Sequence, residues 1–315
     1  MQHRHGFVFR CFQNKVSYDI MTQILFLEES MKRIVTLQDI SCVGKCALTV
    51  ALPVISAMGV ETAVIPTALL SAHSVFPDFT FMDLTDQIEA ISKHWKTQNL
   101  KFDAIYTGYL GSKHQIEVVS RFFDEFKTED NFIFVDPAMA DQGRLYTGFD
   151  MDFARTMTKL CEKADIIDPN ITEACFMTGM EYRETYDERY VRKLMDRLAD
   201  LGAKTVVLTG VTLEPGKTGV VGMDTSSGKT YHYFHPHVKG QFHGTGDIFS
   251  SSVIGALMNG RSLDESLRIS ANFTYECIRQ TIMDESSSWY GVSFERALPY
   301  LIDQLRDDTN GSLRF

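Results

Sequence analysis

Residues 243–252 read His-Gly-Thr-Gly-Asp-Ile-Phe-Ser-Ser-Ser and lead directly into an apolar segment, residues 253–258. The glycines on either side of Thr245 permit a tight turn in which several backbone N–H groups point in one direction. The residues after Asp247 have the composition of a buried helix, and the amino terminus of a helix carries partial positive charge. The pattern therefore predicts an anion-binding turn at the start of a helix, with the carboxylate of Asp247 beside it.

Two interpretations of Asp247 follow from this stretch. In the first, Asp247 takes a proton from an attacking hydroxyl while the preceding amides stabilise negative charge on a phosphoryl group. In the second, it is an N-cap after a glycine turn, which any α/β protein could use. The motif alone leaves both open.

Strand-like and helix-like segments alternate on the amino-terminal side of this turn. The predicted strands are 33–38, 60–67, 104–107, 131–135, 164–167 and 204–208, followed by a hairpin of 219–223 and 230–234. The predicted helices are 46–58, 84–95, one ending at Phe126, 151–162, one starting near Thr172, 187–201, and two final helices at 247–258 and 263–281. This alternation predicts an α/β fold with a mostly parallel central sheet and helices on both faces.

Polar or glycine-containing segments follow the predicted strands. They are 38–39, Thr67, 108–109, 136–137, 168–170 and 209–210. Ligands of such sheets bind outside the carboxyl ends of the strands. We therefore expect these segments to contribute to one site.

Composition excludes several classes of protein. The 315 residues include 31 basic and 41 acidic side chains, a net charge of −10 that is unfavourable for binding nucleic acid. No apolar run approaches the roughly 18 residues of a membrane helix. The six cysteines lack CxxC spacing, which favours reduced thiols and a cytoplasmic location.

The first 30 residues differ in pattern from the rest of the chain. Residues 1–30 hold aromatic and basic residues without a period, and Met31 is followed by a typical first strand. We expect residues 1–30 to be a non-native or poorly ordered extension, the alternative being a genuine terminal arm. No linker or repeat divides residues 31–310, which predicts a single domain.

From Met31 onward the chain resembles the pyridoxal/pyridoxamine kinases of the ribokinase-like superfamily, most closely the bacterial pyridoxamine kinase branch. The resemblance covers nearly all of residues 31–305. It is carried by six elements in the same order: Gln38-Asp39-Ile40-Ser41-Cys42-Val43-Gly44, Pro66-Thr67 with Ser71-Ala72-His73, Thr107-Gly108-Tyr109-Leu110-Gly111-Ser112, Asp136-Pro137-Ala138-Met139, Pro169-Asn170-Ile171-Thr172-Glu173, and Gly244-Thr245-Gly246-Asp247.

The resemblance implies roles for the catalytic turn and the metal site. Asp247 would deprotonate the primary alcohol that attacks the γ-phosphate, and the backbone of Gly244, Thr245 and Gly246 would cradle phosphate. Asn170 and Glu173 would help to hold Mg²⁺, partly through water. The alternative for this pair is structural, since Asn170 can cap a helix and Glu173 can complete a capping box.

Further phosphate and metal contacts are implied at two strand ends. Asp136 would lie near the metal and the phosphates, and Thr209, followed by Gly210, would bind nucleotide phosphate. An Asx turn at Asp136 and an ordinary turn at Thr209 are the alternatives.

Asp39 or Ser41, His73 and Tyr109 are the candidates for contacts with the vitamin ring. Related chains with Gln-Ser at the first strand end use that Ser to touch the pyridine ring, whereas this chain has Gln38-Asp39. We hypothesise that Asp39 favours a protonated pyridine nitrogen or the amine of pyridoxamine. Tyr109 could instead belong to the core.

The implied reaction is phosphorylation of the 5′-hydroxymethyl group of pyridoxal, pyridoxamine or pyridoxine by Mg-ATP. The resemblance also suggests a monovalent cation such as K⁺ and a homodimer. A hydroxymethylpyrimidine kinase of thiamine synthesis is the nearest alternative, and a non-catalytic B6-binding protein is a second. A nicotinamide-dependent dehydrogenase is disfavoured because no G-x-G-x-x-G opens a helix after the first strand.

Overall fold

A nine-stranded sheet forms the centre of the protein. The structure is a computed structural model that describes residues 31–307, so the predicted extension at residues 1–30 lies outside the described residues. The strands of this sheet are β1 (Arg33–Ser41), β2 (Glu61–Leu70), β3 (Phe81–Asp83), β4 (Ala104–Thr107), β5 (Phe132–Val135), β8 (Ile166–Ile167), β9 (Thr205–Val211), β10 (Lys217–Asp224) and β11 (Thr230–Pro236). A separate two-stranded hairpin consists of β6 (Ala140–Asp141) and β7 (Arg144–Leu145).

The strand order is β11-β10-β9-β8-β5-β4-β1-β2-β3. The six strands from β9 to β2 are parallel to their neighbours, whereas β3 and the β10–β11 hairpin extend the sheet antiparallel at its two edges. The predicted mostly parallel sheet and its terminal hairpin are therefore confirmed. All six parallel strands end at the same side of the sheet, where the predicted site lies.

Nine helices are described between residues 31 and 307. They are α1 (Leu48–Ala57), α2 (Thr85–Thr97), α3 (Lys113–Phe126), α4 (Met151–Cys161), α5 (Ile171–Thr178), α6 (Glu188–Ala199), α7 (Thr245–Met258), α8 (Leu263–Met283) and α9 (Phe294–Asp307). None of these helices combines the length and apolar character needed to cross a membrane.

Alternate residues of each strand serve two different cores, as the pleat requires. On β5, Ile133 and Val135 pack in a core with residues of α2 to α6, while Phe134 packs on the other face with residues of α1, α7 and α8. The predicted layers of helices on both faces are thus confirmed. A further cluster joins α1, α7 and α8 to α9, through residues such as Phe294.

Three elements depart from the sequence prediction. α9 follows the two helices predicted to be last, and its Pro299 lies inside the helix, which masks the helical pattern. The short strand β3 lies in a stretch predicted as a loop, and all three of its residues are exposed, so no alternation marks it. The β6–β7 hairpin has only two residues in each strand and was likewise not predicted.

The helices differ in how they begin. The side chains of Ser112, Asp150 and Asp187 cap α3, α4 and α6 by accepting backbone N–H groups. By contrast α7 begins at Gly244 and α1 at Ala47, both without a side-chain cap. The first amides of α7 are consequently available to a ligand.

Candidate active site

The turn before α7 has the geometry that the Gly-Thr-Gly sequence predicts. Gly244 has a φ of 81°, in the left-handed region that favours glycine. A Cβ at this position would lie 1.9 Å from the carbonyl oxygen of Lys45, so the loop after β1 packs directly on the turn. The hydroxyl of Thr245 donates to the Phe242 carbonyl at 3.0 Å and braces the turn. Gly246 follows in the first turn of α7.

Asp247 lies in the first turn of α7 and is partly exposed. Because the N-cap of this helix is Gly244, the structure does not support the alternative role of Asp247 as the N-cap. The pKa of Asp247 is raised to about 7: burial is the main cause, the charge of Asp39 adds to it, and hydrogen bonding from the Ala47 backbone opposes it. A carboxylate with this pKa can accept and release a proton near neutral pH.

Three of the ring-contact candidates lie together near Asp247. Asp39 is 5% exposed, and burial raises its pKa to about 6. Ser41 donates its hydroxyl to Asp39 Oδ2 at 3.2 Å. Tyr109 is partly exposed and stacks on Phe149 with 5.6 Å between ring centroids, so it is not a residue of the buried core. Burial and the nearby charge of Asp39 raise the pKa of Tyr109.

The fourth candidate, His73, lies against the residue that precedes the turn. Its ring centroid is 5.2 Å from that of His243. The Val75 N–H donates to His73 Nδ1 at 3.1 Å, and the His73 N–H donates to the Val43 carbonyl at 2.7 Å. Burial and the neighbouring His243 lower the pKa of His73, which favours its neutral form. With Nδ1 accepting, the remaining Nε2–H is a donor.

Asp136 belongs to a buried group of carboxylates. The Ser250 hydroxyl lies between Asp136 Oδ2, at 3.4 Å, and Asp168 Oδ2. Burial is the largest cause of the raised pKa of both carboxyls, and the charges of neighbouring carboxylates add to it. Asp168 Oδ1 is buried and has no hydrogen-bond partner among the described residues.

Asn170 and Glu173 form a capping box at the start of α5. Asn170 Oδ1 accepts the Glu173 N–H at 2.9 Å, and Glu173 Oε2 accepts the Asn170 N–H at 2.9 Å. Glu173 Oε1 also accepts the N–H of Met139 at 3.0 Å, next to the strand end that carries Asp136. The structural alternative is therefore present, and a magnesium role for this pair remains a prediction.

Thr209 and Gly210 lie at the end of β9. Thr209 forms a parallel bridge with Asn170, and its N–H donates to the Pro169 carbonyl at 3.0 Å. Gly210 is exposed, has a φ of 67° and leaves open space around its Cα. This strand end is thus adjacent to the capping box and open to a ligand.

The carboxylates at these strand ends are of the chemical type that a divalent cation binds, but within residues 31–307 no three or more His, Cys, Asp or Glu side chains are arranged to hold a metal ion by themselves. The orphaned Asp168 oxygen and the raised pKa values of Asp136 and Glu173 indicate negative charge that is not compensated locally. Magnesium takes carboxylate oxygens and keeps several waters. Asp136 would be a direct ligand in such a site, and Glu173, already engaged by backbone amides, would act through water.

The structure brings most of the predicted site residues to one edge of the sheet. Electrostatic interactions link Asp247 to Asp39, Asp136 and Asp168. Two of the groups found here were assigned no role from the sequence. Asp168 was noted only as part of a strand end, although the Asp-Pro-Asn sequence was a signal, and Ser250 lies one helical turn after Asp247.

The chain was compared with known proteins. The family model for phosphomethylpyrimidine kinase matches residues 49–288. The chain is 29% identical over 226 residues to the hydroxymethylpyrimidine/phosphomethylpyrimidine kinase of Bacillus subtilis, covering 71% of this chain and 79% of that one. It is 27% identical over 239 residues to the pyridoxal kinase of Dictyostelium discoideum, covering 71% and 77%.

A solved structure gives the same result. A Bacteroides thetaiotaomicron protein assigned as a phosphomethylpyrimidine kinase, in a crystal form with pyridoxal, has a TM-score of 0.83 and 38% identity. The alignment covers 86% of this chain and 96% of that one. The architecture is therefore ribokinase-like, as predicted, and the relatives include kinases of both the pyridoxal and the hydroxymethylpyrimidine type. The chain is a kinase and belongs to the phosphomethylpyrimidine kinase family.

Proposed function

We propose that the protein uses Mg-ATP to phosphorylate the 5′-hydroxymethyl group of pyridoxal, pyridoxamine or pyridoxine. The observation that carries this proposal is the placement of Asp247, whose pKa is raised to about 7, beside the uncapped start of α7. Asp39 and Tyr109 lie near each other and offer a charge and a ring face to a heterocycle.

The reaction is an in-line transfer. As the alcohol oxygen bonds to the γ-phosphorus, Asp247 accepts the hydroxyl proton and the bond to the β-phosphate oxygen breaks. The amides of Gly244, Thr245 and Gly246 face the charge that develops on the phosphoryl oxygens. Magnesium, when bound near Asp136, supplies compensating positive charge. Since only the deprotonated base is active, kcat/KM should fall as the pH drops below about 7.

The substrate ring would be recognised by side chains at the ends of β1 and β4 and by His73. Asp39, held by the Ser41 hydroxyl, would accept a hydrogen bond from a protonated pyridine nitrogen or from an amine. Tyr109 would stack on the ring, and neutral His73 would donate from Nε2. Thr209 and Gly210 would bind nucleotide phosphate at the neighbouring edge.

The comparisons support a B6 vitamer as the phosphate acceptor, and they also support hydroxymethylpyrimidine as an alternative acceptor. The Dictyostelium relative is a pyridoxal kinase, and the Bacteroides protein has a crystal form with pyridoxal. The Bacillus relative and the family model favour hydroxymethylpyrimidine kinase activity instead. Both reactions phosphorylate a hydroxymethyl group on a nitrogen heterocycle, so the same base and turn serve either one.

A substrate panel tests the proposal. ADP release is measured with ATP and Mg²⁺ in the presence of pyridoxal, pyridoxamine, pyridoxine or hydroxymethylpyrimidine. We expect the highest kcat/KM with a B6 vitamer. A clear preference for the pyrimidine would establish the alternative, and vitamer binding without ADP release would indicate a non-catalytic B6-binding protein. Repeating the panel with K⁺ replaced by a large organic cation tests the monovalent cation.

The proposal extends to the setting of the enzyme. The described cysteines Cys42, Cys46, Cys161, Cys175 and Cys277 are all free thiols, which supports a reducing, cytoplasmic environment. We also propose a homodimer, on the strength of the family resemblance. Sedimentation of the purified protein tests this assembly directly.

A further inference from the structure

Lys45, in the loop between β1 and α1, contacts the catalytic turn through its backbone. The Lys45 carbonyl oxygen lies so close to Gly244 that a Cβ atom at position 244 would be only 1.9 Å from it. A residue with a side chain could not fit there without moving Lys45. Two residues later, Ala47 is buried and has a φ of 48°, a conformation that non-glycine residues adopt only when their surroundings impose it. Hydrogen bonding from the Ala47 backbone reaches the carboxyl group of Asp247. Residues 45–47 therefore touch both the turn and the base.

The opposite side of Lys45 is held by a segment 250 residues away in sequence. A Cβ on Gly291 would lie 2.4 Å from Lys45 Cβ and 3.3 Å from its Cα, so the two backbones are in close contact. Lys45 Nζ pairs with Glu295 Oε2 at 2.8 Å and lies 5.9 Å from the centroid of the Phe294 ring. The Lys45 side chain is 17% exposed and that of Glu295 is 54% exposed, so the lysine side of this ion pair is largely covered while the carboxylate side faces solvent.

The segment that holds Lys45 is itself firmly anchored. Val292 and Phe294 are buried in the cluster that joins α1, α7, α8 and α9. The N–H of Ser293 donates to Thr281 Oγ1 at 2.8 Å. Arg296 of α9 forms an ion pair at 3.0 Å with Asp284, the residue that follows α8. Residues 291–295 are thus fixed to the surrounding helices by packing and by a hydrogen bond.

We propose that residues 291–295 are a positioning element for phosphoryl transfer. Through their contacts with Lys45, residues 291–295 hold the backbone of residues 45–47 against Gly244 and Asp247. This fixes the position of the Asp247 carboxylate relative to the backbone amides of the turn. The inference rests on the proposed role of Asp247, but it does not depend on which alcohol is the acceptor. Gly291, Glu295 and Lys45 are positioning residues, since they act through the turn rather than on the substrate.

Substitution of Gly291 by Ala tests the contact. The Gly291 backbone does not adopt the left-handed region, so the added methyl is accommodated by displacing Lys45 rather than by strain at residue 291. We expect kcat to fall about 10- to 100-fold, the effect of a small misplacement of reacting groups, while KM for ATP and for the acceptor stays within about twofold. A purely supportive role would lower the melting temperature and leave kcat of the folded enzyme unchanged.

The ion pair is tested without adding volume. Glu295→Gln and Lys45→Met should each lower kcat about three- to tenfold, and Lys45→Arg, which keeps the charge, should restore it. Lys163→Met is the matched control, because Lys163, in the turn after α4, pairs with Asp124 of α3 at 2.7 Å, and the kcat of this variant should equal that of the wild type.

Three results would overturn the inference. These are wild-type kcat in folded Gly291→Ala, wild-type kcat in both ion-pair variants, or a loss of kcat/KM that resides entirely in KM. If Gly291→Ala does not fold, the ion-pair variants decide alone. A wild-type enzyme that releases no ADP with any of the four alcohols would instead refute the proposed function itself, whereas active wild type with unaffected variants refutes only the positioning element.

Discussion

Asp247 is the residue on which the proposed chemistry depends. Replacing Asp247 by Asn removes the proton acceptor and keeps the size of the side chain. We expect kcat to fall about 10²- to 10⁴-fold, the usual contribution of a general base, with little change in the circular dichroism spectrum. Steady-state ADP release measures the effect. Turnover close to that of the wild type in the folded variant would show that another group accepts the proton.

Asp39 is the residue to which we assign the choice of vitamer in the proposed reaction. Asp39→Ser is expected to lower kcat/KM for pyridoxamine relative to pyridoxal by about tenfold, because a hydrogen bond to a charged group contributes about 1.5 to 3 kcal/mol. Ser41→Ala is the comparison variant: it removes the hydroxyl that donates to Asp39 but keeps the carboxylate, so it should change the ratio less than Asp39→Ser does. The vitamer panel gives the ratio, and the same ratio in Asp39→Ser and wild type would exclude Asp39 from ring recognition.

The sequence predicted which residues lie at the strand ends, but it did not predict which of them contact one another. Asp247 and Asp136 stand next to a glycine and a proline, and Asp39 was identified through the family resemblance at the first strand end. Their shared burial and the Ser250 hydroxyl between two carboxylates depend on contacts across 114 and 82 residues, which no local pattern encodes. The strained conformation of Ala47 was equally invisible, since Ala at this position looks like an ordinary helix residue.

At the scale of elements, two capping boxes with the same local geometry offer a matched comparison. Glu173 is the acidic residue of the capping box of α5, near the buried carboxylates of Asp136 and Asp168. Glu265 is the corresponding residue of the capping box of α8, which is exposed. We expect Glu173→Gln to raise the Mg²⁺ concentration for half-maximal activity about 10- to 100-fold, the range typical of residues that support metal ligands. Glu265→Gln should leave it unchanged.

Magnesium titration of the initial rate at saturating ATP gives this constant, and thermal melting verifies that both variants are folded. Equal magnesium constants for Glu173→Gln and the wild type would leave Glu173 with only its capping role. A change shared by Glu265→Gln would mean that helix capping in general, rather than proximity to Asp136, causes the effect.

Element type was predicted well where hydrophobic periodicity was strong, and poorly where other constraints set the structure. β4 has the predicted bounds, Ala104–Thr107, because it is a short buried strand between clear polar boundaries. β1 extends three residues beyond its predicted end at Gln38, since pairing with β2 continues past a register shift. α9 was not predicted, because Pro299 within it signals a break whereas burial of Phe294 and Leu301 stabilises it.

At the scale of the whole molecule, the buried carboxylates make stability depend on pH. Burial raises the pKa of Asp39 to about 6 and those of Glu173 and Asp247 to about 7. A group whose pKa is higher in the folded state contributes stability below its unfolded pKa and loses that contribution as the pH rises through the folded value. The free energy of unfolding of the ligand-free protein should therefore decrease as the pH is raised from about 5 to about 8.

Denaturant unfolding in the absence of Mg²⁺, measured at several pH values in this window, tests the expectation. Each fully titrating group contributes up to about 1.4 kcal/mol per pH unit, and solvent screening reduces this for the partly exposed Asp247. Asp247→Asn should have a shallower pH dependence than the wild type. Constant or increasing stability across the window would contradict the arrangement of charges described for the site.

The contact of Lys45 with Gly291 and Glu295 has a consequence for synthesis. A ribosome extrudes the chain from its amino terminus, so the strands that carry Asp39, Asp136 and Thr209 emerge long before residues 291–295. The backbone around Lys45 meets its support only when those late residues have left the exit tunnel. Nascent or prematurely terminated chains that lack them should accordingly turn over ATP much more slowly than the full chain, and full activity should arise only after residues 291–295 have emerged.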